Sequence, residues 1–129
     1  MRIAQTLTDS SYQMLRSFLL GAPRSVIHKA AMELAGTPSR DCETEWIIGA
    51  WAAEVGESDI ALDELRRAVD KGYCAYPVID TDPELAGVRD RPEFEHIRQA
   101  AMRCQKRFLE FRSQLARSNP LPDNSRKSE

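Results

Sequence analysis

Long apolar runs are missing from this sequence. No hydrophobic stretch approaches the roughly 18–20 residues that a membrane helix requires, and the opening MRIAQTLTDSSYQ has no apolar core of the kind a secretory leader carries. These absences lead us to expect a cytoplasmic chain with no membrane contact. Cysteine is sparse. Cys42, Cys74 and Cys104 are odd in number and widely spaced, with no CxxC and no cysteine–histidine cluster. Neither a zinc site nor a disulfide is therefore expected, and all three read as small buried hydrophobes. Two histidines, His28 and His96, stand far apart on helical segments and read as surface or packing residues. There is no glycine-rich phosphate loop, nucleophile elbow or metal-ligand spacing. Nothing in the sequence supports an enzyme, and we expect no catalytic, cofactor-binding or metal-binding residue.

A chain of 129 residues has the length of one domain, and 42% hydrophobic with 29% charged residues suits a globular protein. Its charge is unevenly distributed. Residues 1–40 carry five basic and two acidic side chains, residues 41–95 five and fifteen, and residues 96–129 eight and three. An acidic middle beside a basic end favours an oriented, electrostatically matched partner, or neutralisation within the fold or between copies.

Helical patterning dominates, and no alternating run makes a convincing strand. DSSYQMLRSFLLG places Met14, Leu15, Phe18 and Leu19 on one stripe, with Asp9 or Ser10 as cap and Gly21 as stop. PRSVIHKAAMELAG follows, its stripe made by Ile27, Ala30, Ala31 and Leu34. A third segment runs from Asp41 to Gly56, and a fourth from a Ser58 cap to Gly72. A shift of 34 residues superposes the two pairs. Ile48, Gly49, Ala52, Gly56, Ala61, Leu65 and Ala68 fall on Met14, Leu15, Phe18, Ala22, Ile27, Ala31 and Leu34, all apolar or small. A helix–turn–helix period of 34 is the tetratricopeptide period.

IIGAWAAEVGESDIALDELRRAV resembles a tetratricopeptide repeat at Ile48, Gly49, Gly56, Ala61, Leu65 and Ala68. It departs from the family where Glu45 takes the first-helix tryptophan position, Ala52 the tyrosine position and Tyr73 the closing proline position. The resemblance implies an all-α solenoid of antiparallel hairpins, with repeats at about 8–41 and 42–75. The stretch GYCAYPVIDTDPELAGVRDRPEF then carries three prolines. Tyr73, Tyr76, Val78 and Ile79 are too apolar for a free linker, and some of them should dock on the last helix pair. Asp82-Pro83 and Asp90-Arg91-Pro92 read as helix starts. This punctuation resembles the segment that closes tetratricopeptide arrays in bacterial regulatory proteins. There a proline-marked turn, here 72–91, leads to a capping helix, here 92–117. On that helix Phe94, Ile97, Ala101, Cys104, Phe108, Phe111 and Leu115 form a heptad-spaced seam. Its first half should cap the repeats and its second half overhang them, ahead of a polar tail, 118–129, expected to be disordered.

The resemblance and the spacing together suggest a non-catalytic protein-interaction module that binds a peptide or a partner helix. Stacked repeats expose a concave surface lined by their first helices, which makes Glu43, Trp46, Ala50 and Ala53 the expected partner-binding residues. Trp51 falls on another face and should pack between repeats. Trp46 reads alternatively as a core residue. Because stacked repeats usually need about three units, the final helix should replace the third unit, or the module should dimerise, or the chain should end a larger protein. Phe108, Phe111 and Leu115 are the expected self-association residues. The alternative function is nucleic-acid contact through Arg98, Arg103, Lys106, Arg107 and Arg112, against which stand an acidic pI near 5.7 and a face without interleaved aromatics.

Overall fold

The structure is a computed structural model, and it describes residues 12–37 and 41–119. Helix α1 covers 12–19, followed by α2 (Arg24–Ala35), α3 (Cys42–Glu54), α4 (Ser58–Asp70), the one-turn α5 (Val78–Thr81), a 3-10 turn at Pro83–Leu85, and α6 (Pro92–Ser118). No strand occurs among the described residues. The expected Asp9 or Ser10 cap, the start of the first repeat and the tail beyond Asn119 lie outside the described residues.

Local chemistry explains most of the boundaries. Asp41 caps α3 by accepting the Thr44 backbone N–H at 2.8 Å, so one orphan donor of the first turn is satisfied. Helix α4 begins differently from expectation. Glu57 occupies its N-cap position without a side-chain cap bond, and Ser58 is already helical. Glu57 is held elsewhere: its carboxylate meets Arg24 at 3.2 Å and His28 Nδ1 at 2.9 Å, tying α2 to the α3–α4 turn. Gly72 ends α4 at φ +100°, a left-handed conformation that a β-carbon would strain.

Helices α3 and α4 form a closely packed hairpin. A β-carbon added at Gly49 would lie 2.8 Å from Leu65 Cγ and 3.2 Å from the Ala61 carbonyl oxygen, so glycine sets how near the two helices come. Their contact joins a large cluster containing Trp46, Ala50, Leu62, Leu65, Val69, Ile79, Leu85, Phe94 and Ile97. A second cluster holds Met14, Ile27, Leu34, Ile48 and Val55 and fixes α1 and α2 against α3. Trp51 packs there, between the two helix pairs, as its face suggested. Phe18, placed on the apolar stripe of the first segment, is exposed instead, as is Leu19.

The proline-marked stretch is an ordered part of the fold. Ala75, Ile79, Leu85 and Val88 are buried, and Tyr73 and Tyr76 pack against the same cluster, while Val78 faces outward. Asp82 caps the 3-10 turn through the Glu84 backbone N–H at 3.0 Å. Arg91 stands at the α6 N-cap with no side-chain cap bond, so at that start the proline acts without the aspartate.

One expectation is overturned outright. Cys74 and Cys104, 30 positions apart in sequence, form a disulfide with Cα atoms 5.2 Å apart. The bond joins the loop after α4 to the middle of α6. Cys42 is free and half-buried. Sequence spacing could not show this pairing, because the fold brings together a loop cysteine and a helix-seam cysteine that share no motif.

Candidate functional site

The face of α3 expected to receive a partner is filled by the protein's own chain. Trp46 is only 5% exposed, and Ala50 and Ala53 are buried with it. Tyr73 stacks on the Trp46 ring at a centroid distance of 5.2 Å and an interplanar angle of 26°. The 3-10 turn packs along α3, with Gly87 so near that a β-carbon there would come within 3.3 Å of the Ala53 carbonyl oxygen. Of the four expected partner-binding residues, Glu43 alone is exposed. The small side chains of α3 make a slot, and residues 73–88 lie in it as a peptide ligand would.

One side-chain cluster holds that segment to α6. Arg98 grips Asp80 with Nε at 2.6 Å and Nη2 at 3.0 Å from the carboxylate oxygens, and its guanidinium lies 5.9 Å from the centroid of the Tyr76 ring. The Arg98 hydrogen bond holds the Asp80 carboxyl below the usual carboxylate range. Glu84 is shifted the other way, raised first by burial and then by the neighbouring charges of Asp82 and Glu54. Arg98 is thus committed to a structural contact, which removes it from the basic face proposed for nucleic acid. Arg103, Lys106, Arg107 and Arg112 remain exposed.

Not every carboxylate of the acidic middle faces water. Glu45 and Glu57 are buried. Glu45, in the position where the repeat family carries tryptophan, pairs with Lys71 at 2.8 Å and so bridges α3 to the end of α4. Among the described residues no group of three or more His, Cys, Asp or Glu is arranged to hold a metal ion. No described helix is long and apolar enough to cross a membrane.

Among the described residues, two open surfaces combine apolar side chains with flanking charge. One is the overhang of α6, where the seam leaves the core. Phe94, Ile97, Ala101 and Cys104 are buried, whereas Phe108, Phe111 and Leu115 are 53%, 59% and 54% exposed. The other is a groove of about 630 Å³ between α4 and the first half of α6. Leu62, Val69, Ile97 and Ala100 floor it, and Asp59, Asp63, Asp70 and Glu93 rim it. Arg66 lies on the rim as well, paired with Asp63 at 2.7 Å and Asp70 at 3.8 Å, and His96 completes it. The sequence reading missed this groove. Its signal was the acidic edge of α4, Asp59, Asp63 and Asp70, which recurs after one and then two helical turns beside an apolar stripe.

No protein-family model, curated protein or solved structure matches this chain.

Proposed function

We propose that this chain is a non-catalytic protein-interaction module of tetratricopeptide-like hairpins that docks a partner helix along the overhanging half of α6. The observation that carries the reading is the change in burial along one helical seam. The same heptad pattern that packs the first half of α6 into the core continues onto three large side chains that are more than half exposed. A helix face this apolar marks an interaction surface. The 34-residue offset and the Gly49–Leu65 approach favour the repeat assignment. The filled α3 face counts against a partner at Trp46 and supports the choice of α6.

The test uses immobilised chain and protein retained from cell extract at physiological salt. Phe108→Glu/Phe111→Glu should abolish retention, with folding stability changed by no more than about 0.5 kcal/mol, as for surface substitutions. Undiminished retention by that variant would overturn the reading. So would a stability loss of about 2 kcal/mol or more, which would mean that these rings belong to the protein's own core.

A further inference from the structure

The two open surfaces match each other. On a helical projection of about 100° per residue, Ile97, Cys104, Phe108, Phe111 and Leu115 fall within about 60° of one another. The exposed stripe therefore continues the face of α6 that borders the groove through Glu93, Ile97 and Ala100. Arg107 and Arg112 flank the stripe, each about 70° from its centre. At about 1.5 Å per residue, α6 lines the groove for about 12 Å from Pro92 to Ala100, and the stripe runs about 10 Å from Phe108 to Leu115. Groove and stripe thus agree in length. They also agree in chemistry: an apolar floor rimmed by Glu93 and by Asp59, Asp63 and Asp70, whose carboxylates pair with Arg91, Arg66 and Arg67 of the same chain, faces an apolar stripe bordered by arginines.

We propose that the α4–α6 groove receives the overhanging half of α6 from a second copy of this chain. Phe111 and Leu115 lie on the floor formed by Leu62, Val69 and Ile97; running antiparallel, the partner helix brings Arg112 toward Glu93 and Arg107 to the other end of the groove, beside Asp70. The exchange is reciprocal. Because stripe and groove share one face of α6, two antiparallel α6 helices related by a two-fold axis fill both grooves at once and leave no open end. Neither groove is complete without the other copy. The same pairing brings the basic end of each chain onto the acidic middle of its partner. This inference rests on the reading of the α6 overhang as a docking element, and it names what that element docks into.

Charge exchange tests it with four exposed residues whose replacement leaves the core untouched. The probe is the protein itself, its mass followed by light scattering across a dilution series, with circular dichroism confirming that each variant is folded. The unmodified chain should form a dimer. Asp70→Lys/Glu93→Lys should weaken dimerisation by about tenfold or more, since like charges then face each other across the junction. Arg107→Glu/Arg112→Glu should do the same. All four changes in one chain should restore the dimer, because lysines on the rim then meet glutamates beside the stripe. A dimer unaffected by Asp70→Lys/Glu93→Lys but lost in Phe108→Glu/Phe111→Glu would overturn the groove assignment in favour of stripe-to-stripe pairing. A monomer at every concentration would overturn the second copy as occupant. In either case, retention of another protein through the stripe would leave the docking role of α6 standing.

Discussion

Replacing Trp46 with alanine should cost the protein about 3–5 kcal/mol, the range for deleting a large aromatic side chain from a packed core. Total stabilities of such domains run to only about 5–15 kcal/mol, so the loss would be a large share of what holds the chain folded. The reason is structural. Trp46 is buried between α3 and the chain that crosses it, with Tyr73 stacked on one face. Removing the indole leaves Tyr73 without its platform and opens a void beside Ala50 and Ile79, members of the same cluster. The measurement is the free energy of unfolding from denaturant titration followed by circular dichroism. A change of about 0.5 kcal/mol or less, the ordinary result at a surface position, would place Trp46 on an open groove and restore it as a partner anchor.

Breaking the Cys74–Cys104 bond should have an effect of similar size. The two residues lie 30 apart in sequence. Closing a loop of that length in the unfolded chain corresponds to about 3–4 kcal/mol in the chain-entropy account. At about 4 °C per kcal/mol, where the ranges for smaller and larger domains meet, reduction or Cys74→Ser/Cys104→Ser should lower Tm by on the order of 10–15 °C. An unchanged Tm after reduction, with both thiols shown free by alkylation, would mean that the bond does not hold the proline-marked segment to α6. The bond also sets the structure against the expectation of a reducing cytoplasm, where such thiols are ordinarily kept apart. Alkylation of the protein as it leaves the cell, before any oxidant reaches it, shows which state it occupies there.

Much of the architecture was legible because helices announce themselves by period and punctuation. Asp41, Gly56 and Gly72 bound α3 and α4 as their chemistry suggests, and Pro83 and Pro92 open the elements they precede. The buried first half of α6 and its exposed second half follow from one seam that outlasts the core it packs on. What stayed hidden depended on which neighbour fills a space. A stripe of alanines with a tryptophan looks the same whether it faces a partner or the protein's own chain, and here residues 73–88 occupy it. Helix α5 spans four residues, too few to show a period. Glu45 and Glu57 look like solvated carboxylates until Lys71, Arg24 and His28 are brought beside them. The groove needed α4 and α6 to be adjacent, a relation that no single segment encodes.

Hydrogen exchange in dilute solution, read residue by residue, tests the central claim most directly: the α3 face is closed by the chain itself and the end of α6 is open. The backbone N–H groups of Ile79, Asp82, Leu85 and Val88 donate to carbonyls within the docked segment, and they should exchange as slowly as those of α3. Residues 106–117 should exchange fast, because a helix end without tertiary support is at most at the lower edge of the roughly 12–15 residues at which isolated helices become even marginal. The reverse pattern, a fast segment at 79–88 and a protected end of α6 in the dilute monomer, would contradict the account and return the partner site to α3.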